Sequence, residues 1–204
     1  MRNVNVPSTF PVENRPIYYW PVARVTAKTY QNVLPQLAES VNSIIDHYRT
    51  DRILVHTVSY RLANDLKQRI NNPRIITYQH AQERDETIAK HHERSDSVLL
   101  AASLDRGYDG ADDLARAVIV TKLPYPNLGD AQISARLHSK GGEMWYQVQT
   151  IRSLIQMTGR GIRSATDQCD TWILDGSFDT LQKKRKHLFP GWWLDAITRQ
   201  TPTI

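Results

Sequence analysis

The sequence predicts an α/β fold: a single domain with a mostly parallel sheet covered by helices on both faces. Three observations predict it. Short apolar runs recur at Arg52–His56, Arg74–Tyr78, Ser97–Ala102, Ala117–Thr121 and Thr171–Leu174. Stretches with helical spacing separate them, and strands alternating with helices form parallel sheets with both faces buried. No repeat, low-complexity tract or linker breaks the chain after residue 28.

The elements follow in order. Residues 1–16 carry Pro7, Pro11 and Pro16 and predict an extended arm. Ile17 to Trp20 predicts a short strand ended by Pro21. Residues 1–28 are thus read as arm and strand, and residues 29–204 as the domain proper. In Thr29–Tyr48, Val33, Leu37, Val41, Ile44, Ile45 and Tyr48 recur every three or four residues, the period of a helix. Pro35 falls in its first turns and places the helix start near there. Further helices are predicted over Tyr60–Ile70, Gln82–His92, 131–138 and roughly 144–160. Thr171–Leu174 is read as the final strand, followed by a helix through the basic run Lys183–Lys186. That run is read as a solvated helix face, with strand contact as the alternative.

Composition narrows the function. The chain has 204 residues and a net charge of +5, which favours acidic partners such as nucleic acid. Cys169 is the only cysteine, so the chain forms no internal disulfide and holds no iron–sulfur cluster. No C-x-x-C or H-E-x-x-H spacing occurs, and no metal site is expected. No apolar run approaches the ~18 residues of a membrane span. The first residues lack the apolar core of a signal peptide, so a cytoplasmic protein with no membrane partner is expected.

Sites in open parallel sheets form at the carboxyl ends of strands, and three loops stand out as candidates. In HTVSY, residues 56–60, Ser59 is placed to cap the following helix, and a helix N-terminus also suits a phosphate. ASLDRGYDGADD, residues 102–113, is rich in Gly and Asp. A calcium loop counted from Asp105 would need a ligand at Gly107 and a glutamate at Arg116, so calcium is not expected. An ordinary polar turn and a loop offering N–H groups to a backbone both remain open. The third is Q-x-x-G-R-x-x-R: Gln156, Gly159, Arg160 and Arg163. On a helix, Arg152, Gln156 and Arg160 share an arc of about 80°. Arg163 joins it only if the helix continues past Gly159 and Gly161, where glycine instead lets the backbone approach something closely. Paired arginines suit phosphate charge; a solvated basic face is the alternative. No Gly-Lys pair occurs, so the chain contains no G-x-x-x-x-G-K-[ST] phosphate loop. No apolar strand ends in Asp-Glu, the acidic box that holds magnesium.

These motifs together resemble a known family. FPVENRPIYYWPV, ILVHTVSY, SLDRGYDG, RAVIVTKLPYP, WY before LIQMTGRGIRS, and WILD occur in the order found in the C-terminal RecA-like motor domain of superfamily 2 DNA helicases of the XPD/DinG branch. The resemblance covers about residues 10–192. It implies that HTVSY is helicase motif IV, with Thr57 and Ser59 near the DNA backbone. It implies that SLDRGYDG is motif V, with Ser103 and Arg106 on DNA and Gly107 and Asp109 coupling DNA to nucleotide. It implies that Gln156, Gly159, Arg160 and Arg163 are motif VI, with Arg160 and Arg163 reaching the γ-phosphate across a cleft. Arg106 stands where many members carry an acidic residue, and Ser177 where an arginine is common. The implied cofactors are ATP and Mg²⁺, held mainly by an N-terminal helicase motor domain that is the implied partner. Single-stranded DNA is the other, and the isolated chain is expected not to hydrolyse ATP. A stand-alone nucleic-acid-binding module is the alternative, and an unrelated α/β enzyme the third reading.

Overall fold

A computed structural model describes residues 8–102, 104 and 112–198. Among these, seven strands build one sheet in the order β3-β4-β2-β5-β6-β1-β7, every pairing parallel. The strands are β1 Ile17–Ala23, β2 Ile53–His56, β3 Ile75–Thr77, β4 Val98–Ala101, β5 Ala117–Val120, β6 Asp170–Asp175 and β7 Ile197–Thr198. The helices are α1 Tyr30–His47, α2 Tyr60–Ile70, α3 Arg84–Glu93, α4 Ala131–Leu137, α5 Gly142–Thr158, α6 Ser177–Arg185 and α7 Gly191–Leu194.

Successive strand residues point to opposite faces, and here both faces are apolar. Ile53 and Val55 pack with Ile44 of α1 and Leu66 of α2 on one face. Leu54 lies with Leu154 of α5, Phe178 of α6 and Trp193 of α7 on the other. The central strands β2, β4 and β5 are buried along their whole length. That is why they read as unbroken apolar runs rather than as alternating ones.

Four expectations need correction. β1 does not end before Pro21 but runs to Ala23. Its register against β6 shifts between Tyr19 and Ala23, and β7 pairs only with Ile17 and Tyr18, so Pro21 removes no regular ladder bond. α1 starts at Tyr30, with Pro35 inside it. Burial of Leu34, Leu37, Val41, Ile44 and Ile45 outweighs the backbone bond that the proline removes. The strand at Thr171 is not the last, because β7 follows it. Finally, α5 ends at Thr158, so Arg160 lies beyond the helix and not on an arc with Arg152 and Gln156.

Two buried arginines tie helix ends to the amino edge of the sheet. Arg52 donates to the carbonyls of His91, His92 and Arg94 at the end of α3 and pairs with Asp113 at 3.0 Å. Arg74 donates to the carbonyls of Ile45 and Tyr48 at the end of α1. Their donors satisfy helix carbonyls that would otherwise lack partners.

Candidate functional site

The segment Gly159–Asp167 lies at the amino edge of the sheet, not at the carboxyl ends of strands. A Cβ built on Gly161 would sit 2.2 Å from the Cys169 sulfur and 2.7 Å from the Ala115 carbonyl oxygen. Ala115 precedes β5 and Cys169 precedes β6, so glycine is required where the turn crosses these strand starts. The Asn14 side-chain amide donates to the Ala165 carbonyl at 2.9 Å, which adds the start of β1. The edge follows from α5 running back against the parallel strands to the start of β6.

Buried Asp167 shapes this turn. One oxygen of its carboxylate accepts the backbone N–H of Arg163 at 2.6 Å and of Ser164 at 2.8 Å. The Ser164 hydroxyl accepts the N–H of Asp167 at 3.2 Å in return. Trp193 steadies the helix end beneath by donating its indole N–H to the Thr158 hydroxyl at 2.8 Å. Gln156, Gly159 and Arg163 are exposed, whereas Arg160 is half-buried with its Nε enclosed. Beside the turn lies a cavity of ≈ 430 Å³ lined by Phe10, Arg15, Gly159, Arg163, Trp192 and Trp193 among others. Cys169 under the turn is buried, and burial pushes its thiol well above the usual range, so it is a packing residue and not a nucleophile.

HTVSY occupies the opposite, carboxyl edge. Thr57 is fully buried; its hydroxyl donates to the Ala101 carbonyl at 3.1 Å and the Ser59 carbonyl at 3.2 Å. Ser59 is exposed and caps α2, its hydroxyl accepting the N–H of Leu62 at 3.2 Å. Between them Val58 has φ +61°, a left-handed conformation that a β-branched residue adopts only when its surroundings force it. Asp175 fixes the same edge by accepting the N–H of Leu123 at 2.9 Å and of Ser177 at 2.8 Å.

His56 is a buried titratable group of the carboxyl edge. It ends β2 at the carboxyl edge, 1 % exposed, and by alternation its ring turns toward the α5 face with Leu54. Neither ring nitrogen has a hydrogen-bond partner. Burial first, and the nearby Arg160 charge second, push its pKa down to about 3. The imidazole is therefore neutral at pH 7.

The motif V residues Ser103, Arg106, Gly107 and Asp109 lie outside the described residues. The structure therefore brings Gln156, Gly159, Arg160 and Arg163 together at one edge and Thr57 and Ser59 at the other. Asp167, Trp193 and His56 had not been singled out. Asp167 carries a readable signal, an Asp four residues after Arg163 in a short polar turn. Among the described residues no group of three or more His, Cys, Asp or Glu is placed to hold a metal ion, and no helix is long and apolar enough to cross a membrane.

Residues 42–196 match the family described as the helicase C-terminal domain. The chain belongs to that family. It is 25 % identical over 183 residues to the ATP-dependent DNA helicase CHL1 of Saccharomyces cerevisiae, a match covering 78 % of this chain and 21 % of that protein. It is 23 % identical over 147 residues to the ATP-dependent DNA helicase XPD of Sulfolobus acidocaldarius, covering 65 % of this chain and 26 % of that one. The chain thus spans about a quarter or less of the length of these curated relatives. Among solved structures, one described as XPD helicase superposes with a TM-score of 0.66 at 19 % identity, covering 85 % of this chain and 34 % of that chain. Xpd4 of S. tokodaii superposes with a TM-score of 0.64 at 14 % identity, covering 91 % and 39 %. These structures share the RecA-like fold. The helicase C-terminal domain here is of the XPD/DinG kind within superfamily 2.

Proposed function

We propose that this chain is the C-terminal motor lobe of a two-lobed, ATP-dependent DNA helicase. The lobe proper is assigned to residues 29–204, and β1 from residues 1–28 completes its sheet between β6 and β7. The observation that carries this reading is the turn at the amino edge. Its backbone is fixed by Asp167 and Gly161, and it leaves Gln156 and Arg163 exposed beside Arg160. A rigid turn bearing guanidinium groups suits charge that develops on a phosphoryl group held by a second lobe. Arg163 is presented directly; Arg160 must rotate outward from its half-buried position.

ATP is the substrate of the joined lobes. Gln156, Gly159, Arg160 and Arg163 fit its phosphates from this side by charge and exposure. Mg²⁺ would offset charge on the phosphate oxygens and would be held by the other lobe, which would also carry the phosphate loop. Single-stranded DNA lies on the carboxyl edge. There exposed Ser59 and the N-terminus of α2 face its backbone, and the family resemblance assigns Ser103 and Arg106 of motif V to the same DNA. Buried Thr57 holds that loop in shape from inside. The family resemblance assigns Gly107 and Asp109 to coupling DNA to nucleotide.

The test is to mix the chain with an N-terminal lobe that carries a phosphate loop and measure DNA-stimulated ATP hydrolysis. Arg163→Ala should lower turnover by about 10³–10⁵-fold, the range of an arginine finger, and the chain alone should hydrolyse no ATP. The alternative, a stand-alone nucleic-acid-binding module, rests on the +5 charge and the missing Gly-Lys pair. Strand binding with no hydrolysis beside any such lobe would favour it.

A further inference from the structure

A second feature of the carboxyl edge has the chemistry of a base-binding site. A cleft of ≈ 470 Å³ opens there, lined by Val58, Tyr125, Asn127, Trp145, Gln149 and Met157 among others. It gathers residues that follow β2 and β5 with residues of α5. Trp145 is half-buried, and the exposed guanidinium of Arg136 lies 4.3 Å from its ring centroid. Tyr125 is held in place by Tyr146, the two rings stacked at 5.6 Å with an interplanar angle of 18°. The Tyr146 hydroxyl donates to the Pro126 carbonyl at 2.9 Å, which fixes that wall. Val58, the residue with the strained backbone, lies at the cleft beside exposed Ser59.

We propose that this cleft takes an unpaired nucleobase of single-stranded nucleic acid, with Trp145 as the stacking platform. The inference rests on the proposed DNA edge and adds a base subsite to it. Three features choose this occupant. Every base presents a π face, and a half-buried indole beside a guanidinium suits stacking and cation–π contact. The side-chain amides of Asn127 and Gln149 supply polar groups for a base edge. The exposed guanidinium of Arg136 supplies a cation for an adjoining phosphate, while the carboxylate of Asp130 is turned to the N–H groups of Gln132 and Ile133 at 2.8 and 3.2 Å and that of Glu143 lies 3.9 Å from the Arg185 guanidinium.

The experiment compares a short labelled oligothymidylate with a strand of equal length that has abasic sites throughout, titrated by anisotropy against the full chain. The parent chain should bind the base-bearing strand about 5- to 150-fold more tightly, the range of one aromatic stack. Trp145→Ala should erase that preference while leaving abasic-strand affinity and its salt dependence intact, and Trp145→Phe should keep most of it. Equal affinity of the parent chain for both strands overturns the proposal and needs no variant. So does a Trp145→Ala chain that keeps its preference. If Trp145→Ala binds strands normally but no longer associates with the phosphate-holding lobe, the cleft is a protein contact and the proposal fails. If the parent chain binds neither strand, the DNA edge itself fails, an outcome distinct from loss of base preference alone.

Discussion

At the amino edge of the sheet, the turn from Gly159 to Asp167 is fixed by groups behind it, and exposed side chains stand in front. The fixing is done by Asp167, Gly161 against Cys169, and Trp193. At the carboxyl edge the arrangement differs: the Thr57 hydroxyl is consumed inside, and strain is held in the backbone at Val58. Both edges are built on the ends of buried strands, yet one presents cations from a relaxed turn and the other presents a loop in an unfavourable conformation. On the proposed reading the first meets phosphate charge from the other lobe and the second meets a strand. On that reading the two ends of a single parallel sheet serve nucleotide and nucleic acid. Buried, neutral His56 lies at the carboxyl edge, close enough to feel the charge of Arg160.

The largest stability effect tests how the amino edge is held. Trp193→Ala removes a buried indole and its bond to Thr158, and should cost about 3–5 kcal/mol, read as a lower urea midpoint. Below the transition the variant should still bind single strands, because its damage is on the far edge. Loss of strand binding in the folded variant would show that the edges are not independent.

The burial of His56 at the carboxyl edge is tested by acid. His56 has a pKa of about 3 when folded against 6.5 when free. Between those values the unfolded chain binds a proton that the folded chain excludes. Stability is therefore full above about pH 6.5 and falls as pH drops toward 3, by about 1.4 kcal/mol per unit. His91 shifts in the same direction, to about 4, mainly through burial. Urea midpoints across this range should show the slope, and His56→Leu should reduce it. An unchanged slope in that variant would remove His56 from the account.

The smallest effect concerns the carboxyl edge. Ser59→Ala deletes the cap of α2 and should cost about 1 kcal/mol in thermal or urea unfolding. It should weaken strand binding more than it alters ATP turnover in the joined lobes at saturating DNA. A turnover defect without a binding defect would reverse the assignment of the edge.

Much of this was legible in the sequence, for a physical reason. Strands buried on both faces, such as Ile53–His56 and Ala117–Val120, leave uninterrupted apolar runs, and the helices between them keep a clear period. Ser59 could be placed as a cap because capping is local. Illegible features depend on distant partners. Two residues of β7 carry no pattern, and they form a strand only because β1 lies beside them. Pro21 signals a strand end when its neighbours are unknown. The motif at Arg160 was legible as chemistry, and its amino-edge position follows from a helix preceding a strand of a parallel sheet. What sequence did not show was that the helix stops at Thr158, which depends on Gly161 packing against Cys169 and Ala115. Trp193 acts through Thr158 of a distant segment, and nothing in its own surroundings marks it, whereas Asp167 acts within its own short turn and is marked by it.

The separation of edges is tested most directly by Arg160→Ala in the chain joined to a phosphate-holding lobe, with ATP turnover and single-strand affinity measured on the same preparation. The account predicts that turnover falls by about 10³–10⁵-fold while strand affinity stays close to that of the parent. Normal turnover, or a loss of turnover matched by an equal loss of strand affinity, would contradict it.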